Sequence, residues 1–258
     1  MKKILKRIYL FLVFLFLYGP IITMAVFSFN SSRIKQSWTG FTLNWYVELF
    51  HNEEILSAFY TTITIAILTT LIATVLGTLG AIGFYYMPTI KKKILLNINY
   101  IPVLNPDIVT AISLMVVYKI IKLDFGYLTL LLSHITFTTP YVILSILPKL
   151  KQMPKSLPEA AMDLGATPVF TLKKIIIPEC KSGIFSGALL AFTLSLDDFV
   201  VSFFNIGNGV STISTTVYSM AKKGINPAIN ALSTLMFLSI IILLLIINKR
   251  SSVIEEEV

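Results

Sequence analysis

Residues 195 to 204 read SLDDFVVSFF and close an apolar run that begins at Gly183. The run contains two adjacent carboxylates, Asp197 and Asp198, in a stretch otherwise suited to hydrocarbon. An ionised side chain at the centre of a bilayer costs about 2.5 to 3.5 kcal/mol on insertion scales, so carboxylates retained there mark a pore or a binding site. The chemistry they offer is cation binding. A solute with two or more ammonium groups offsets both their mutual repulsion and their desolvation, which a neutral sugar cannot do. Asp107, in NPDIVT, stands at the head of another apolar stretch and is a third such carboxylate. Tyr100, Tyr141, Phe199 and Phe203 are the aromatic residues that could add cation–π contact along a path, with ordinary packing in a membrane bundle as the alternative for most of them. Each acid also has a purely structural use. Asp107 follows Pro102 and Pro106 and can cap the helix that restarts there. Asp197 and Asp198 can pair with polar groups of a neighbouring helix, His134 or Thr136, Thr138 and Thr139. His134 as a metal ligand lacks a second His or Cys. The single cysteine, Cys180, excludes an intramolecular disulfide and fits a small buried hydrophobe.

Apolar residues form 55% of the chain and charged residues 13%, with a mean hydropathy of +0.82. That is an integral membrane composition, since soluble domains carry about 25% charged residues. A spanning helix needs about 20 apolar residues, and six stretches qualify: about 8 to 29, 57 to 86, 99 to 121, 127 to 148, 183 to 204 and 228 to 247. The first is longer than a signal-peptide core and is read as a retained span. With the N terminus inside, fifteen of the 21 Lys and Arg fall in cytoplasmic segments and six, Arg33, Lys35, Lys119, Lys122, Lys222 and Lys223, fall outside. The positive-inside bias therefore places both termini in the cytoplasm. The net charge of +8 is accounted for without nucleic acid. In the first outer segment, Trp38, Trp45, Tyr46 and Phe50 are expected to lie as an anchor at the membrane surface. A straight fifth span entering at Gly183 puts Asp197 about 21 Å along its axis, and a straight third span from Asn97 puts Asp107 about 15 Å in. Residues one apart on a regular helix differ by about 100°, so only one of Asp197 and Asp198 points squarely into a central path.

The segment from about 151 to 182, between the fourth and fifth spans, carries dense punctuation. Ser156-Leu157-Pro158-Glu159 has capping-box spacing with proline in the first turn. Gly165 supplies a left-handed stop. Thr167-Pro168 starts a second helix, which ends near Pro178. Ala160 and Ala161 admit close approach of another protein, and Glu159 and Asp163 share one face. The helix signals alone fit either a docking element or two helices lying along the inner leaflet.

The order Glu159-Ala160-Ala161, Gly165 after three residues, and Ile175-Ile176-Ile177-Pro178 after nine more resembles the EAA loop of ABC importer permeases, with Ile177 where that family usually has Leu. The resemblance extends to LNWYVELFHNEEILSAFYTTITIAI, IPVLNPDIVTAISL and FTLSLDDFVVSFF. These stretches are similar to permease subunits of spermidine/putrescine importers. It implies a type I ABC importer permease fold of six transmembrane helices forming one permease domain over 1–258. Glu159, Ala160, Ala161 and Gly165 become the coupling residues seated in a cleft of an ATPase subunit, and the substrate path falls on Asp197, Asp198, Asp107, Tyr141 and Phe203.

The chain has no P-loop, so ATP must be hydrolysed by a partner. The implied role is a non-catalytic permease subunit of a polyamine importer in the bacterial inner membrane, with no cofactor or metal of its own. The implied partners are a homologous second permease, two ATPase subunits that bind ATP and Mg, and an extracytoplasmic polyamine-binding protein. An ABC permease for another cation or amino acid keeps the loop and loses the substrate. An ion-coupled secondary carrier uses the same carboxylates as a coupling site and leaves the loop unexplained.

Overall fold

The computed structural model describes residues 2–32, 37–223 and 227–256. Arg33 and Lys35, two of the basic residues assigned to outer segments, lie outside the described residues, as do the side chains of Lys2, Lys3, Lys223, Lys249 and Arg250. The regular elements among the described residues are helices, joined by loops with one isolated bridge between Asn30 and Phe41: α1 (Lys2–Phe27), α2 (Asn44–His51), α3 (Glu53–Tyr86), α4 (Thr89–Leu104), α5 (Asp107–Ile120), α6 (Tyr127–Gln152), α7 (Ser156–Asp163), α8 (Pro168–Thr171), a π turn (Leu172–Ile176), α9 (Ile177–Glu179), α10 (Lys181–Asp197), α11 (Val200–Asn205), α12 (Ile213–Lys223) and α13 (Pro227–Glu256). The chain divides into two units, one of residues 57–215 and one formed by 1–56 with 216–258.

Three helices, α1, α3 and α6, are long and apolar enough to cross a membrane without interruption, matching the expected stretches 8–29, 57–86 and 127–148. The stretch 99–121 is not a straight span. Asn105 is held extended before Pro106 (φ −76°, ψ 146°), because the proline ring excludes the helical conformation from the residue before it. Helix α4 therefore stops at Leu104, and α5 leaves at 107° to it. Asp107 is the first residue of a new helix, and its depth cannot be counted along a straight axis from Asn97. The stretch 183–204 is also interrupted: α10 ends at Asp197 and α11 begins at Val200. The 100° separation expected of Asp197 and Asp198 on one regular helix does not apply. The sixth stretch falls on α13, whose side chains beyond residue 242 lie outside the described residues.

In the 57–215 unit, α6 is the axis on which α4, α5, α10 and α11 pack. Its buried face, Val142, Ile143, Ile146, Leu147 and Leu150, joins Ala73 and Ala81 of α3 and Ala191 of α10 in one core that also holds Cys180. The contact between α6 and α10 is made at the glycines. A methyl group at Gly187 would lie 3.2 Å from Val142 Cα, and one at Gly183 would lie 3.0 Å from the Ser145 carbonyl oxygen. The small-residue spacing at Gly183 and Gly187 thus serves close helix packing, as read from the sequence.

In the other unit, α13 packs on α1 and α2. Trp45 does not lie at the surface as an anchor: it is 6% exposed and donates its indole N–H to the Asn30 carbonyl at 2.7 Å. The indole N–H needs an acceptor once buried, and the turn after α1 supplies one. Asn30 is itself buried, accepting from Thr39 N–H (3.0 Å) and donating to the Ser37 carbonyl (2.8 Å). Trp38 and Phe50 remain exposed.

Candidate functional site

At the α10–α11 junction the backbone leaves the helix at Asp198 (φ −62°, ψ 129°). No proline or glycine stands in SLDDFVVSFF to force this break. The Asp198 carboxylate compensates for the lost helical turn. Its Oδ1 accepts from Val201 N–H at 3.1 Å and its Oδ2 from Ser202 N–H at 2.6 Å, covering two of the donors that a helix start leaves unpaired. Oδ2 also lies 3.5 Å from His134 Nε2 of α6. Asp198 is thus turned inward, and of its two readings from sequence the geometry realises the pairing with His134. Thr136, Thr138 and Thr139 donate instead to carbonyls of their own helix.

Asp197 goes the other way. It is exposed at the last turn of α10, and no hydrogen bond or ion pair engages its carboxylate among the described residues. Asp107 is likewise exposed, in the first turn of α5, with no side-chain cap bond at that helix start. It lies within electrostatic reach of the half-buried Tyr141 of α6. Phe203 of α11 is 45% exposed and packs beside Phe199, ring centroids 5.4 Å apart. Helix α11 is fixed between α5 and α6 by Asn205, whose Nδ2 donates to the Ala111 carbonyl at 3.1 Å while its backbone carbonyl accepts from Thr129 Oγ1 at 2.9 Å. The structure therefore brings Asp107 within electrostatic reach of Tyr141, without a hydrogen bond between them among the described residues, and packs α5 against the helix carrying Phe203. No hydrogen bond or ion pair joins Asp107 to Asp197 among the described residues. No group of three or more His, Cys, Asp or Glu forms a metal-binding cluster among the described residues.

The loop bearing Glu159, Ala160, Ala161 and Gly165 folds as helix, turn, helix. Ser156 is the first residue of α7 and makes no capping bond, so the expected capping box does not form; Leu157 N–H bonds to the Pro154 carbonyl instead. The stop at Gly165 is as expected. Its φ is +88°, and the bonds Gly165 N–H to Met162 O (2.9 Å) and Ala166 N–H to Ala161 O (3.0 Å) close a Schellman turn. Thr167 caps α8 by accepting from Phe170 N–H at 3.3 Å. Further on, Pro178 has no N–H to donate, and the π turn ahead of it widens the helix where an ordinary turn would clash with the ring. Glu159 and Ala160 are exposed. Leu164 is 90% exposed, Val169 60% and Phe170 53%, an apolar surface on both sides of the turn. Sequence reasoning passed over these three residues, although apolar side chains flanking a glycine stop signal a contact surface. It also passed over Ser195 and Ser202, which hold the ring of His134.

A family model described as "binding-protein-dependent transport system inner membrane component" matches residues 73–252. The spermidine/putrescine transport system permease protein PotC of Haemophilus influenzae is 38% identical over 251 residues, 96% of this chain and 98% of that protein. PotC of Escherichia coli K12 is 38% identical, over 91% of this chain and 89% of its own, and the putrescine transport system permease protein PotI of the same organism is 38% identical over 89% and 84%. Among solved structures, a bacterial ABC transporter involved in import of the acidic polysaccharide alginate superposes with a TM-score of 0.73 at 15% identity, covering 96% of this chain and 95% of that one. A second, the alginate transporter in complex with an alginate pentasaccharide-bound periplasmic protein, gives 0.70 at 21% identity over 95% and 91%. These two show the fold. The all-helical architecture, the exposed loop built on Glu159, Ala160, Ala161 and Gly165, and the sequence match place the chain in the family of binding-protein-dependent transport system inner membrane components: it is a multi-pass ABC importer permease subunit, not an enzyme, and ATP hydrolysis belongs to a separate ATPase.

Proposed function

We propose that the chain conducts polyamines, spermidine or putrescine, as one permease of an ATP-driven, binding-protein-dependent importer of the bacterial inner membrane. The observation that carries this reading is the exposed carboxylate of Asp197, which has no hydrogen-bond or ion-pair partner among the described residues, at a helix break beside an Asp198 already bonded. A polyammonium solute supplies the counter-charge that Asp197 lacks. The names of relatives at 38% identity point to the same substrate class. Six spans with both termini cytoplasmic agree with the distribution of Lys and Arg. On that orientation the α7–α8 turn faces the cytoplasm, where its exposed apolar surface around Leu164 and Phe170 suits the cleft of an ATPase subunit.

In this mechanism a binding protein delivers the polyamine to the outer face, where Asp197, Asp107 and Tyr141 of this chain and a homologous second permease receive its charges. Cation–π contact with Phe203 adds to the attraction. Two ATPase subunits bind ATP and Mg and close; their motion reaches the spans through Glu159, Ala160, Ala161 and Gly165. Hydrolysis returns the permeases inward. The carboxylates must hold the solute weakly, so that it leaves on the far side. An ABC permease for another cation keeps every part of this scheme except the substrate.

The test is uptake of labelled spermidine and putrescine into vesicles containing the reconstituted transporter. Correctly inserted Asp197→Asn protein that imports both at the parental rate refutes the substrate assignment. Import of an amino acid or a metal cation, with polyamines inert, establishes the alternative.

A further inference from the structure

The α10–α11 break is the feature that separates the fates of Asp197 and Asp198, yet nothing in its local sequence enforces it. SLDDFVVSFF contains neither proline nor glycine, and its residues can continue a helix. Asp198 caps the restart locally, and among the described residues the side-chain bonds that tie Ser195, Asp198 and Ser202 to another helix come from one side chain. His134 of α6 is 1% exposed. Its Nδ1 lies 2.7 Å from Ser195 Oγ, on the α10 side of the break. Its Nε2 lies 3.1 Å from Ser202 Oγ, on the α11 side, and 3.5 Å from Asp198 Oδ2 between them. One neutral tautomer meets every demand: Nε2–H donates toward Ser202 and Asp198, and Nδ1 accepts the Ser195 hydroxyl proton. The edge of Phe137, centroid 5.5 Å away and tilted 68°, fixes the rotation of the ring.

We propose that His134 is a positioning residue for transport: it clamps both sides of the α10–α11 break to α6, and so keeps Asp198 turned inward and Asp197 presented outward. Without the imidazole, the residues around Asp198 can rewind into a continuous helix. The two carboxylates then stand about 100° apart on one axis, and the outward presentation of Asp197 is lost. His134 itself stays buried and does not meet the solute. The consequence for transport rests on the reading of Asp197 as a substrate carboxylate; the positional claim does not.

The experiment therefore reads position and transport separately. In a Cys180→Ser background, Asp197→Cys in the assembled transporter is labelled with a membrane-impermeant, cationic methanethiosulfonate, with Asp124→Cys in the exposed α5–α6 turn as control. Adding His134→Ala should slow labelling at 197 roughly tenfold relative to the control, the effect of losing one hydrogen bond to a charged group. His134→Gln, which keeps a donor and an acceptor, should restore most of the rate. Unchanged labelling at 197 in His134→Ala overturns the proposal, whatever happens to uptake. If His134→Ala is not recovered from the membrane, Ser202→Ala is scored instead: labelling slowed about threefold, as for one neutral hydrogen bond, supports the clamp, and an unchanged rate overturns it. Polyamine uptake is measured alongside. Should Asp197→Asn transport normally while labelling at 197 still depends on His134, the substrate reading fails and the clamp stands.

Discussion

The adjacent acids Asp197 and Asp198 should respond to substitution in opposite ways. Asp198→Ala removes acceptors from two backbone N–H groups, at 3.1 and 2.6 Å, and a carboxylate 3.5 Å from His134. Loss of a helix cap costs about 0.5 to 2 kcal/mol, and His134 Nε2–H, left with Ser202 Oγ at 3.1 Å as its acceptor, loses a further interaction of about 0.5 to 1.5 kcal/mol. A loss of roughly 1 to 3 kcal/mol follows, since the two effects share one carboxylate and do not add fully. Asp197→Asn removes a charge from an exposed side chain with no hydrogen bond or ion pair among the described residues, so stability should move by less than about 0.5 kcal/mol. Transport should show the reverse emphasis. If Asp197 holds one ammonium of the solute, losing that charged hydrogen bond lowers uptake efficiency by about ten- to a hundredfold. The assays are thermal unfolding of the purified complex in detergent and initial uptake rates in vesicles, on the same preparations. Asp197→Asn unfolding as early as Asp198→Ala, or Asp198→Ala unfolding with the parent, would refute the division of labour between them.

Gly165→Val places a β-branched residue at φ +88°, where it is strained by about 1 kcal/mol or more. The Schellman turn should open, and the ATPase rate should no longer respond to loaded binding protein, although that protein still docks. Leu164→Asp puts a charge on the most exposed apolar residue of the segment 151–182, proposed to dock on the ATPase; co-purification of the ATPase with the permease should fall about tenfold or more, with the permease still inserted. Gly187→Val drives side-chain atoms into the backbone of α6 at Val142, where a methyl group alone would lie 3.2 Å from Cα; overpacking costs about 1 to 3 kcal/mol, measurable as earlier thermal unfolding. Asn205→Asp replaces the amide that donates to the Ala111 and Val201 carbonyls with an acceptor facing two acceptors. It should destabilise by about 2 to 4 kcal/mol.

Much of this protein is determined by composition and punctuation. Runs of apolar residues fix α1, α3 and α6 as long helices, because in hydrocarbon a backbone can bond only within its own helix. Gly165 and Thr167-Pro168 fix the turn and restart between α7 and α8, because left-handed backbone and a helix start each demand particular residue types. The capping box at Ser156 fails for want of geometry: the preceding Pro154 carbonyl takes Leu157 N–H, and the helix begins one residue before the serine could cap it. The carboxylates themselves are visible in the sequence as an anomaly in an apolar stretch.

What each carboxylate does is decided by tertiary structure. The bend at Asn105-Pro106 was legible as an interruption, but its 107° angle sets where Asp107 goes, and that angle depends on how α4 and α5 pack against α6. The break at Asp198 carries no proline or glycine, and its one local signal is an aspartate able to cap the helix that follows. It exists because His134, 61 residues from Ser195 in the chain, arrives on a neighbouring helix with two ring nitrogens to satisfy. A long-range hydrogen bond of that kind leaves no periodicity and no spacing to read. Sequence alone marks two acids in hydrocarbon; the fold turns one inward as a structural anchor and leaves the other facing out.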